Sequence, residues 1–177
     1  MKPKKIAFTD LEMTGLDPLK HEIIEFGLVV ADEELLEILA RYDQKVKPEH
    51  IETAQKEALG VAGYKEEDWK DAILLKDALA KYSELAEGAL FAAWNTPFDW
   101  TFLSEAYRKA EIKNPLDYHT LDIFSIAHEK LRADTSIETF RLSRLCEHFG
   151  IPREPMPHRA INGAERAHAL YKKLREL

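Results

Sequence analysis

Ile6-Ala-Phe-Thr-Asp-Leu-Glu12 reads as a β-strand whose residues alternate between faces, so Ile6, Phe8, Asp10 and Glu12 share one side. Two apolar residues open a row that should pack inward, and two carboxylates continue it. Ionised carboxylates on a core-facing row cost free energy unless they are paired or bind a cation. Two of them at i, i+2 on one strand also repel each other. A hard divalent ion such as Mg²⁺ or Mn²⁺ answers both costs, because it prefers oxygen ligands. The competing reading is a strand that emerges into water at its carboxyl end with both groups hydrated.

Two other segments carry chemistry-bearing residues. In Trp94-Asn-Thr-Pro-Phe-Asp99 a short apolar strand runs into a helix, with Asp99 in the first helical turn. Alone, Asp99 reads as an acid favoured by the helix dipole, and Phe98 with Phe102 as a core stripe. In Pro157-His-Arg-Ala160, His158 follows a Pro-rich loop and precedes the last helix. A histidine there suits a general base, because it changes protonation state near neutral pH. Alone, it is equally an ordinary surface histidine. The other six histidines, including His119, His128, His148 and His168, show no metal-ligand spacing.

The elements that must position these residues follow from periodicity and turn signals. After the first strand, residues 22–31 form a second strand rich in branched side chains and residues 36–47 a third, which gives a meander. Residues 53–62 and 68–87 carry helix-forming residues at helical spacing. A strand at 90–95 precedes a helix at 97–110, with Pro97 suited to its first turn. A short strand near 118–121 leads into a helix through Leu131, and further helices cover 136–149 and 161–176. Strands first, then strand–helix alternation, predict an α/β mixed sheet with helices on its faces.

The chain has 177 residues, 45% hydrophobic and 32% charged, with 25 Lys and Arg against 32 Asp and Glu and a net charge of −7. That length suits a single domain spanning residues 1–177, and the apolar content excludes disorder as the main state. A single cysteine, Cys146, excludes an internal disulfide framework and an all-cysteine zinc site. No apolar run is long enough for a transmembrane helix. The start, Met1-Lys-Pro-Lys-Lys-Ile6, lacks the apolar stretch of a secretory signal. A soluble, cytoplasmic protein without a membrane partner is the expectation. Charge is uneven: residues 1–129 hold 15 basic and 26 acidic residues, and residues 130–177 hold 10 and 6. The basic third includes Lys130, Arg132, Arg141, Arg144, Arg153, Arg159 and Arg166. An acidic total disfavours non-specific nucleic-acid binding and a basic region favours it, so charge alone decides nothing.

Taken together, Phe8-Thr-Asp-Leu-Glu-Met-Thr-Gly-Leu-Asp-Pro18, Asn95-Thr-Pro-Phe-Asp99 and the stretch Leu142 to Leu170 with its His158-Arg-Ala resemble the DEDDh (DnaQ-like) 3′–5′ exonucleases of the ribonuclease H-like superfamily. The first motif is similar to that of oligoribonucleases, and the three motifs in order span nearly the whole chain. The resemblance implies a five-stranded mixed sheet flanked by helices. It implies two Mg²⁺ or Mn²⁺ ions at the 3′ end of single-stranded DNA or RNA, and release of nucleoside 5′-monophosphates. By position, Asp10 would bridge both metals, Glu12 would hold one, Asp99 would act on the other, and His158 would deprotonate the attacking water. Met13, Thr14, Gly15 and Leu16 would seat the terminal nucleotide with backbone amides and a hydrophobic wedge, and Asn95 and Phe98 would line that pocket. A homodimer or an association with a polymerase is the partner expectation.

The chain departs from the family in two places. Trp94 stands where the family often has a histidine. The family's fourth acid belongs five residues after His158, where this chain has Gly163. Loss of activity, a compensating ligand and an engineered change all fit that glycine. The rival to an active enzyme is therefore a catalytically silent module of the same fold that binds nucleic-acid 3′ ends or a protein partner. Asn162 and Glu165 flank position 163, and only the longer arm of Glu165 could reach the site.

Overall fold

A computed structural model describes residues 4–177; the first three residues of the basic start lie outside it. The described residues form strands β1 (Lys5–Met13), β2 (Ile23–Asp32), β3 (Ile38–Lys45), β4 (Leu90–Ala93) and β5 (Thr120–Asp122). The helices are α1 (Lys56–Ala62), α2 (Leu75–Ala86), α3 (Thr96–Ala110), α4 (Ile123–Leu131), α5 (Leu142–His148) and α6 (Ala160–Arg175). The sheet order is β3-β2-β1-β4-β5. The first three strands are an antiparallel meander, and β4 and β5 run parallel to β1. The carboxyl ends of β1, β4 and β5 therefore share one edge of the sheet, and this is the edge that receives both Asp10 and Glu12.

The alternation predicted for β1 divides the core into two layers. Ala7, Leu11 and Met13 pack with Leu79, Tyr82, Phe102 and Leu103 of α2 and α3. Ile6 and Phe8 pack with Ile123, Leu145, Ala164 and Leu170 of α4, α5 and α6. Asp10 and Glu12 continue the second row.

Three expected helices are shorter than their periodicity suggests, because tertiary contacts override local propensity. Residues 51–53 make a separate 3₁₀ turn before α1. Between residues 66 and 74, Trp69 is buried and its indole N–H donates to the Ile24 carbonyl at 3.0 Å. Ile73 pairs with Val46 and extends the sheet locally, so α2 starts only at Leu75. Before α5, Asp134 accepts the amide and hydroxyl of Ser136 in a side-chain turn, which keeps that stretch out of the helix.

Gly27 is where α6 touches the sheet. It lies opposite Asp10 in the β1–β2 register, and a Cβ on it would collide with the backbone of Ala160 and Ile161. The missing side chain lets the start of α6 rest directly on β2. Gly27→Ala should therefore push α6 outward and cost about 1–3 kcal/mol in urea unfolding. Gly60→Ala, at a helical position with nothing near its added methyl, should be neutral or stabilising. Equal stability of Gly27→Ala and the parent would show that α6 does not depend on this approach.

Candidate active site

Asp10 and Glu12 reach the α6 side at the end of β1, as their alternation requires. Past Phe8 and Ala92, the last partners of β1 and β4, the Leu11 amide donates to Oδ1 of Asp99 at 3.1 Å. That bond ties the first turn of α3 to the β1 backbone between Asp10 and Glu12. Asn95 makes the sharp strand-to-helix corner at φ 62°, a left-handed conformation that Asn tolerates better than most residues. Thr96 locks the corner, with its amide on Oδ1 of Asp122 at 2.9 Å and its hydroxyl on the Leu121 carbonyl at 2.8 Å.

The acids are held against their electrostatic preference. Burial, followed by the charges of Asp99 and Glu12, pushes the Asp10 carboxyl well above its ordinary range. Burial and Glu25 push Glu12 up to about 7. Burial also raises Asp99, although the Leu11 amide works in the opposite direction. No Lys or Arg among the described residues lies within ion-pair distance of Asp10, Glu12 or Asp99. The side chains do not close into a cage of three or more metal ligands among the described residues. In donor type and charge they fit a hard divalent cation: oxygen ligands only, with negative charge that Arg159 offsets only in part, at Glu12.

Position 163 contributes no ligand. A Cβ at Gly163 would run into the carboxyl group of Asp10, which occupies the space over the glycine. Glu165 does not substitute, because its Oε1 pairs with Nε of Arg41 on β3 at 2.9 Å. Asn162 lines the groove between α6 and the Pro-rich loop, with Pro152, Pro155 and Arg166.

His158 stands two residues before α6, with its side chain 40% exposed and Nδ1 3.0 Å from Oε2 of Glu154. Arg159 beside it donates from Nε to Oε1 of Glu25 at 2.7 Å, and the Ala160 amide donates to the same oxygen at 3.0 Å. α6 has no side-chain cap of its own, so Glu25 caps it from β2, where the helix dipole favours a negative charge. Glu25 is fully buried, sits opposite Glu12 in the register, and keeps Oε2 without a partner among the described residues.

Sequence reasoning passed over both Glu25 and Glu154. The signal for Glu25 was present: a lone carboxylate inside Ile-Ile-Glu-Phe-Gly-Leu-Val-Val is as anomalous as Asp10 is in β1. Glu154 sits in an irregular Pro-rich loop and carried no such signal.

The loop after β1 is well braced. The Thr14 amide and hydroxyl are both spent on Glu22, His21 packs over Gly15, and Met13 belongs to the core. Leu16 projects outward, 70% exposed. Phe98 is half-buried, edge-on to Phe102 at 5.4 Å. Thr14 and Met13 are thus structural in their side chains, and Leu16 is the exposed apolar element of this loop. Trp94 stacks edge-on against Phe124, 5.7 Å away.

The raised acid of β1 has a consequence for folding. The fold keeps Glu12 protonated up to about pH 7, whereas the unfolded chain releases that proton near 4.5. The native state binds more protons across that window, so the contribution of Glu12 to stability falls as pH rises from about 4.5 to about 7 and then levels off. The thermal midpoint of the metal-free protein, minus that of Glu12→Gln, should fall across this range. A difference that rises with pH would contradict the raised pKa.

Residues 7–171 match the model of the exonuclease family RNase_T. The PolC-type DNA polymerase III of Caldanaerobacter subterraneus subsp. tengcongensis is 27% identical over 167 residues, which is 94% of this chain and 11% of that polymerase. The chain thus spans about a tenth of the relative's length. The nuclease domain of 3′hExo, a DEDDh family member bound to rAMP, superposes with a TM-score of 0.79 at 20% identity, covering 98% of this chain and 92% of that one. A zinc-bound complex of E. coli Exonuclease I with single-stranded DNA gives 0.83 at 16% identity, covering 98% and 41%. The five-stranded mixed sheet with flanking helices is accordingly the ribonuclease H-like exonuclease fold. With the family matched from β1 to α6 on that fold, the chain belongs to the RNase_T exonuclease family.

Proposed function

We propose that the 177 residues act as one exonuclease domain that removes nucleoside 5′-monophosphates from the 3′ ends of single-stranded DNA or RNA. The observation that carries this reading is the gathering of Asp10, Glu12 and Asp99 at the carboxyl end of β1, with the Asp10 carboxyl packed against the first turn of α6, the helix that His158 precedes. Asp10, Glu12 and Asp99 would hold Mg²⁺ or Mn²⁺. Bound there, divalent ions would polarise the scissile phosphate and favour ionisation of the attacking water. His158 would take that water's proton, its ring carried on the rigid start of α6. Leu16 would wedge against the terminal base, with Gly15, Asn95 and Phe98 completing the seat and the braced 14–22 loop fixing its shape. Similarity to a PolC-type polymerase supports a role at the end of a strand that a polymerase extends, in association with such an enzyme.

Gly163 favours a second reading, an exonuclease scaffold of reduced activity that binds 3′ ends with little turnover. Nucleotide release from 5′-labelled DNA and RNA oligomers separates the two. Under the first reading the parent degrades oligomers stepwise from the 3′ end with Mn²⁺ or Mg²⁺. Asp10→Ala abolishes this, and His158→Ala lowers kcat by about 10²–10⁴-fold. Under the second, the parent is silent and Gly163→Asp, which must displace the Asp10 carboxyl from the space over residue 163, restores cleavage. Silence of the parent and of Gly163→Asp alike would overturn the enzymatic reading.

A further inference from the structure

The carboxylate of Glu154 is a built component of the site to which neither the motifs nor the family match gives a role. It comes from the loop between α5 and α6, yet its side chain is only 9% exposed. Oε2 lies 3.0 Å from Nδ1 of His158 and 3.0 Å from Nη1 of Arg166, and Oε1 accepts the Arg159 amide at 3.3 Å. Arg166, one turn beyond Gly163 on α6, is itself 10% exposed, and its Nε has no partner among the described residues. Two buried opposite charges hold each other in place, because moving either one strands the other in a low dielectric. Glu154 is therefore anchored to the last helix and presents one oxygen to a single ring nitrogen of His158.

A carboxylate beside Nδ1 stabilises the tautomer that carries its proton there and leaves Nε2 with a free lone pair. We propose that Glu154 is a positioning residue for His158, fixing the ring and its tautomer so that Nε2 is the nitrogen that accepts the proton of the attacking water. Arg166 serves as the strut that holds Glu154 in place. This inference rests on the reading of His158 as the general base. It assigns to Glu154 no contact with the nucleic acid and none with a metal ion. That Glu154 also helps to raise Asp10 and Glu12 places its charge close to the acids, so the test must separate an action through His158 from an action on the acids.

Glu154→Gln keeps the size and an oxygen acceptor while removing the charge. A second variant, Glu154→Leu with Arg166→Met, removes both buried charges together and so avoids leaving either unpaired. In the full chain, the ¹⁵N side-chain resonances of His158, assigned by their loss in His158→Ala, should report Nδ1–H as the main neutral tautomer. Both variants should shift the population towards Nε2–H. In steady-state cleavage, Glu154→Gln should lower kcat about tenfold with KM within about twofold, a part of the roughly 10²–10⁴ that a general base supplies. In a His158→Ala background the same change should lower kcat no further. Unchanged His158 resonances in both variants would overturn the proposal. So would an equal loss of kcat with and without His158, which would place the action of Glu154 on the acids instead. If the parent and Gly163→Asp both show no cleavage, the exonuclease reading fails, and the resonances still decide whether Glu154 sets the tautomer of His158.

Discussion

Two carboxylates of like charge on consecutive inward positions of β1 are the constraint around which this molecule is arranged. Asp10 and Glu12 extend a row that begins with the buried Ile6 and Phe8, and the fold brings Asp99 to the same place through the Leu11 amide. Burial and mutual repulsion hold all three above the usual carboxylate range. A fold selected for stability alone would not gather them there, since each raised acid opposes folding near neutral pH. The grouping makes sense as a site for a divalent cation, whose charge converts the repulsion into binding energy.

The opposite wall depends on how closely α6 can approach. Gly27 gives the helix a flat seat directly across from Asp10, and Glu25 beside it caps the helix and clamps Arg159. His158 lies just ahead of Arg159, the residue that caps this anchored start. The Pro-rich segment before it is in turn pinned by Glu154 to Arg166 and Arg159. The acids of β1 and the start of α6 are thus tied together through β2.

Much of this could be read before the fold was known. β1 was legible because its carboxylates broke an apolar alternation, and α3 because Pro97 and a short apolar strand marked its beginning. The shortened α2 and α5 were not legible. The start of α2 is set by Trp69 reaching Ile24 and by Ile73 pairing with Val46, contacts that no local periodicity contains, and that of α5 by the side-chain turn of Asp134 on Ser136. Glu25 carried a readable signal of the same kind as Asp10. Glu154 did not: its meaning lies in the path of an irregular loop that returns it to His158 and Arg166. The silence of Gly163 was legible as a missing acid, but only the structure shows the Asp10 carboxyl filling the space above it.

The clustered acids would form a divalent-cation site even without an acid at position 163. Titration of the metal-free protein with Mn²⁺, followed by the loss of the free-ion paramagnetic resonance signal, tests it without recourse to turnover. We expect saturable binding that Asp10→Ala removes and that Lys81→Ala, at an exposed position of α2 paired with Glu84, leaves intact. No saturable binding to the parent, or binding unchanged by Asp10→Ala, would contradict it.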